Sequence, residues 1–136
     1  MCFNDDTMYY VAKKARENEE QYGPFTLAYT VAHEWGHYVQ LQLGYLPQPH
    51  TSEDSNSRAI EDHADCLAGV WTRSYQESGH LDDGAIFEGV NFAYAIGKDQ
   101  REEGGKGWGT HEERVRWFLT GYTSGDLSGC SGALQR

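Results

Sequence analysis

Basic residues are scarce in this 136-residue chain: 11 Lys and Arg stand against 21 Asp and Glu, a formal net charge of −10. That balance excludes a nucleic-acid phosphate track, which needs clustered cations, and disfavours an anionic membrane surface. No apolar run approaches the roughly 20 residues of a membrane-spanning helix. The N-terminal run Met1-Cys2-Phe3-Asn4-Asp5-Asp6 lacks the basic and apolar regions of a signal peptide. The expectation is therefore a cytoplasmic protein or the mature part of something longer. Cysteine is limited to Cys2, Cys66 and Cys130, and their spacing suggests no Cys-based zinc site. Cys2 and Cys130, near the two ends, could be bridged, with Cys66 a small packed residue on a helix. A bridged pair with one thiol left over fits an oxidising compartment, and three thiols fit the cytoplasm. The compartment stays open, with the extracytoplasmic side preferred. No internal repeat is visible. What the chain does have is aromatic residues, 9 Tyr, 5 Phe and 4 Trp, enough for the core of one domain over residues 1–136.

The stretch around which the rest is organised is Val31-Ala32-His33-Glu34-Trp35-Gly36-His37-Tyr38-Val39, an H-E-x-x-H pattern in an apolar, helix-compatible run. On a helix, His33 and His37 lie on one face about a turn apart, so both imidazoles can reach one metal ion. Glu34 follows the first of them and projects beside the metal, where a general base for metal-activated water belongs. A solvated helix face carrying two histidines by chance is the bland alternative. The apolar flanks Phe25, Leu27, Ala28, Val31, Ala32, Trp35, Tyr38 and Val39 argue for burial instead. So does Glu61-Asp62-His63-Ala64-Asp65 downstream. Catalytic zinc takes three protein ligands and keeps a fourth position open. Glu61 can be the third, and Asp65, one turn on, can accept the second ring N–H of a ligand histidine. His63 points about 200° away from Glu61 and is a poor ligand.

Three blocks, V-A-H-E-W-G-H-Y-V-Q, E-D-H-A-D-C-L-A-G-V-W and E-R-V-R-W-F-L-T-G-Y-T-S-G-D, together resemble the putative neutral zinc metallopeptidase family, over about residues 2–130. The order H-E-x-x-H then E-x-x-x-D is also similar to that of gluzincins. The resemblance implies His33, His37 and Glu61 as ligands of one catalytic zinc ion. It implies Glu34 as general base and Asp65 as partner of a ligand histidine. It also implies a peptide or protein substrate. Family members usually carry extra sequence before this block, often with a membrane anchor; Trp35 and the Gly-rich insert near residue 105 are further departures.

The fold expected is α+β and mostly helical: a minimal zincin-like domain with an active-site helix, a glutamate helix and a short edge strand. Thr7 to Val11, β-branched and aromatic, is the strand candidate, and the resemblance gives it the role of pairing with an extended substrate. A short irregular lead-in is the alternative. Ala12 to Gln21 reads as a solvated helix. Gly23-Pro24 breaks it, and the active-site helix follows from about Pro24 to Leu43, with Gly44 as C-terminal cap. Gly36 inside that helix suggests close approach of the helix carrying Glu61. Tyr45 to Asn56 reads as a loop, with His50 solvated. The glutamate helix starts near Ser55 or Ser57, with the stripe Ile60, Ala64, Leu67, Trp71 and Tyr75. It ends at Ser78-Gly79-His80. Asp82 or Asp83 caps a helix from Gly84 to Ile96 that packs Ile86, Val90, Ala93 and Phe87. Lys98 to Gly109 is a Gly-rich loop without the order of a P-loop. Thr110-His111-Glu112-Glu113 is a capping box opening the last helix, packed by Val115, Phe118 and Leu119 and ended by Gly121 and the Ser/Gly tail. His111, Arg114 and Tyr122 are candidate donors to a developing oxyanion, His111 first, each weighed against a purely structural role. A zincin-shaped binding module without turnover is the competing functional reading.

Overall fold

Helices make up nearly all the regular structure among the residues that the computed structural model describes, 7–46, 58–98 and 109–135. They are α1 (Ala12–Tyr22), α2 (Phe25–Gln42), α3 (Arg58–Glu77), α4 (Ala85–Ile96) and α5 (His111–Ser124), followed by a 3₁₀ helix, Leu127–Gln135. The mostly helical character expected is what is seen, while the β part of the expected α+β class amounts, among the described residues, to isolated bridges. Thr7 makes a single bridge and residues 8–11 carry no ladder. A second isolated bridge, parallel, joins Lys98 to Thr110. A strand is stabilised by a ladder along its length, and among the described residues no ladder is assigned at 8–11. Ser55, Ser57, His50, Cys2 and most of the Gly-rich loop lie outside the described residues.

The helix boundaries follow the local signals. Helix α1 buries no residue, in keeping with its charge. Helix α2 ends with Leu43 as C-cap, and Gly44 takes a φ of 78°. Asp82 accepts the Ala85 N–H at 3.1 Å and so caps the start of α4. At α5 the capping box is formed: Thr110 Oγ1 accepts the Glu113 N–H, and the Glu113 carboxylate accepts the Thr110 N–H. Of Gly121 and the Ser/Gly tail after it, it is the tail that ends the helix, at Gly125, left-handed at φ 62°. Gly121 serves the crossing of α5 over α3 instead. A Cβ there would sit 1.8 Å from the Cys66 carbonyl oxygen, and one at Gly69 would sit 2.0 Å from that of Phe118. At the α2–α3 contact, a Cβ on Gly36 would meet the Ala64 Cα and carbonyl at 3.2 Å. The roughly 1 kcal/mol that glycine costs a helix interior is thus offset by the approach it permits.

Helix α3 lies at the centre, against α2 on one side, α5 on another and the 3₁₀ helix on a third. One buried cluster joins Phe25, Tyr29 and Ala32 of α2 to Ala68, Ala85, Ala93 and Phe118. The α4 aromatic in the core is Phe92, while Phe87, expected inside, is 70% exposed. Trp71 and Tyr75 extend the α3 stripe only as far as an open apolar groove that they line with Val31 and Trp35. A second cluster joins Leu67, Trp117 and Ala133 to a disulfide between Cys66 and Cys130. Cys130 is thus bridged to Cys66, which the sequence reads as a small packed residue, and the Cys2–Cys130 pairing left open there does not form. Cys66 reaches Cys130 because α3 runs beside the 3₁₀ helix, a neighbourhood that a sequence separation of 64 does not reveal.

Candidate metal centre

Helix α2 turns His33 and His37 inward together because they are one turn apart on a helix whose next face is core. Their rings meet edge to face with centroids 4.9 Å apart. The first turns of α3 bring Glu61 against them: His33 Nε2 lies 3.0 Å from Glu61 Oε2, and His37 Nε2 lies 3.6 Å from Glu61 Oε1. All three side chains are buried, and one donor atom from each lies within 4.8 Å of the others. Two imidazole nitrogens and a carboxylate oxygen are the donors borderline and harder divalent metals take, and a three-ligand set leaves a position open. The group could therefore hold a metal ion.

Each histidine is held from behind. His33 Nδ1 lies 2.8 Å from Asp65 Oδ1. Asp65 is fully buried and also accepts from Tyr29 Oη at 2.8 Å, Arg114 Nε at 2.9 Å and Arg114 Nη2 at 2.8 Å. Burial alone would raise the Asp65 pKa, but the Arg114 guanidinium and the His33 imidazole hold it well below the usual carboxylate range. An acceptor so firmly ionised makes His33 Nδ1 a donor. In the metal-free protein burial works against a charge on His33, yet Asp65 and then Glu61 raise its pKa to about 9. Glu61 is likewise opposed by burial and is pulled down to about 2 by its hydrogen bonds and proximity to the two histidines. Both metal-facing groups are thus set for coordination once the proton between His33 and Glu61 is displaced.

His37 rests on a different kind of group. Its Nδ1 lies 2.9 Å from Gln40 Oε1, while Gln40 Nε2 donates to the Ile60 carbonyl at 2.8 Å and faces His63 Nδ1 at 3.0 Å. His63 is buried, turned away from the cluster as its helical phase implies, and lies edge-on to Tyr45 at 5.5 Å. Burial, and then the nearness of the His37 imidazole, lower the His63 pKa to about 4.

Glu34 is half-buried on the next face of α2 and lines a cavity of about 330 Å³. Its walls include Thr26, Leu27 and Thr30 of the same helix and Tyr9, Tyr10 and Val11, which precede α1. His111 is turned to α4, where its Nδ1 bonds the Tyr94 carbonyl and its ring stacks on Tyr94 at 4.5 Å. Arg114 is engaged with Asp65, and Tyr122 donates to Gln76 Oε1 with Arg73 over its ring. Gln40 and Tyr29 escaped the reading of the sequence. Both carry a signal that could have found them, since a polar group three residues after His37, or four before His33, lies on the same helical face. The Arg114–Asp65 pair, 49 residues apart, carries no such local signal.

A helical domain with a buried two-histidine, one-carboxylate group across two touching helices falls in the class of candidate metal-centre proteins. The chain belongs to the family described as putative neutral zinc metallopeptidase, whose profile matches residues 1–133. It is similar to YpfJ of Escherichia coli K12, 36% identical over 125 residues, covering 80% of this chain and 44% of that protein. It is also similar to Rv2575 of Mycobacterium tuberculosis H37Rv and Mb2605 of Mycobacterium bovis, each 33% identical over 129 residues, covering 79% of this chain and 44% of theirs. All three relatives are described as uncharacterized proteins. The chain spans less than half the length of these relatives. No solved structure matches it.

Proposed function

We propose that this domain is a zinc-dependent endopeptidase that hydrolyses peptide bonds with Glu34 as general base. The observation that carries the reading is the buried His33–His37–Glu61 group with Glu34 beside it on the wall of an open cavity. The donor set fits zinc: both histidines have Nδ1 engaged by an acceptor, so each directs Nε2 toward Glu61. When bound, zinc would supply Lewis acidity, polarising a carbonyl and acidifying a water. Glu34 takes the proton from the attacking water and passes it to the departing amine. Asp65 keeps His33 in the tautomer that presents Nε2, and is itself kept ionised by Arg114. The cavity between Tyr9–Val11 and α2 is where an extended peptide would lie, an irregular wall taking the place of the expected strand.

The test is cleavage of a mixed peptide library by the zinc-loaded protein and by Glu34→Gln. The expected outcome is cleavage by the parent and a loss of at least about 10²-fold in the variant, with zinc retained by both. Zinc on both proteins and cleavage by neither would reject the peptidase and leave a zincin-shaped binding module.

A further inference from the structure

We infer that Gln40 is a positioning residue of the metal centre: its side-chain amide selects the tautomer of His37 that turns Nε2 toward the metal position. The inference rests on the metal reading above and goes beyond it. The argument begins at a group with no choice. The Ile60 carbonyl can only accept, so the Gln40 atom 2.8 Å from it must be the amide nitrogen. The amide oxygen is then the atom 2.9 Å from His37 Nδ1. An amide oxygen can only accept, so His37 Nδ1 must carry the proton, and the lone pair of the neutral ring is on Nε2, the nitrogen facing Glu61. The second hydrogen of the Gln40 amide points at His63 Nδ1, 3.0 Å away. That contact closes the chain without conflict, because a neutral His63 accepts there.

The amide has little room to turn over. Gln40 is fully buried, and reversing it would set its oxygen against the Ile60 carbonyl. Ile60 immediately precedes Glu61, so the same amide ties the turn that carries the carboxylate to the helix that carries both histidines. A hydrophobic residue of equal length would fill the space and leave His37 without a tautomer preference. Partners of this kind typically change metal affinity by about 10–100-fold when removed.

The test uses Gln40→Met, which removes acceptor and donor with little change in length, and Gln40→Glu, which keeps an acceptor beside His37. Nitrogen-15 NMR of the metal-free proteins reads the tautomer of His37, and chelator competition reads the affinity for zinc. In the parent, neutral His37 should carry its proton on Nδ1. Gln40→Met should lose that preference and bind zinc about 10–100-fold more weakly, and Gln40→Glu, although it sets an oxygen against the Ile60 carbonyl and so costs stability, should recover the tautomer. A folded Gln40→Met variant with parental affinity and tautomer would overturn the assignment. If that variant does not fold, the parent still decides, since a proton found on Nε2 of its neutral His37 overturns the assignment too. Failure of the parent to bind zinc at all would be a failure of the metal reading, and the NMR result would still stand or fall by itself.

Discussion

His33 and His37 present the same nitrogen to Glu61 from the same helix, yet they lean on opposite kinds of support. Behind His33 stands a carboxylate clamped by a guanidinium and a phenol, Asp65 with Arg114 and Tyr29. Behind His37 stands a neutral amide, Gln40, backed by a carbonyl and a neutral imidazole. The two buried histidines that report on these sides shift in opposite directions: His33 rises to about 9 and His63 falls to about 4. One side of the centre is therefore built to hold charge and the other to refuse it. A second like-charged carboxylate behind His37 would add negative charge to a buried site that already contains Asp65 and Glu61. The amide supplies the acceptor without it.

The comparison breaks most visibly at Asp65. Asp65→Ala leaves the Arg114 guanidinium buried without its anion, and we expect a loss of about 3–5 kcal/mol in urea unfolding. Gln40→Met removes no charge and should cost only about 1–3 kcal/mol. Equal losses from the two would sink the distinction between a charged and a neutral support.

Next in size is the disulfide beside Asp65 on α3. With a sequence separation of 64 between its cysteines, removing the cross-link by Cys130→Ser should lower stability by about 4 kcal/mol, chiefly through the unfolded chain. Because the folded support of His33 is not part of that change, zinc affinity of the folded protein should stay within about threefold. A drop of a hundredfold would instead tie the metal centre to the C-terminal segment.

The smallest effect is in the pH dependence of the metal-free protein. His33, raised above the ordinary 6.5, contributes stability that is fully present below pH 6.5 and is lost as the pH climbs to about 9. His63, lowered below 6.5, makes the unfolded chain the better proton acceptor, so stability is lost as the pH falls from 6.5 to about 4. At about 1.4 kcal/mol per pH unit each limb is worth up to about 3 kcal/mol, and unfolding with chelator present should show a maximum near pH 6.5. Saturating zinc should flatten the alkaline limb, where it replaces the proton on His33. A profile that rises steadily through pH 6.5 to 9 would contradict the opposed shifts.

Much of this molecule was legible in local pattern. The H-E-x-x-H spacing fixes which residues share a helical face, so His33 and His37 had to converge if α2 formed, and the same periodicity turned His63 away. The capping box at Thr110 and the end of α2 at Gly44 are contests among neighbouring backbone groups, and they came out as local chemistry dictates. Glu61 and Asp65 could be paired with the histidines because E-x-x-x-D repeats the one-turn spacing on a second helix.

Tertiary structure decided what depends on long-range approach. Thr7–Val11 has the composition of a strand, but among the described residues it gains no ladder, and Tyr9, Tyr10 and Val11 wall a cavity with α2. Cys66 pairs with Cys130 because the 3₁₀ helix packs on α3, and Gly121 continues a helix because α5 crosses the Cys66 carbonyl too closely for a side chain. Arg114, weighed as an oxyanion donor against a structural role, takes the structural one, but its partner Asp65 was visible only in the fold. Sequence spacing sets which side chains point the same way. It does not set which distant helix arrives to face them, and at this centre that arrival decides how each histidine is held.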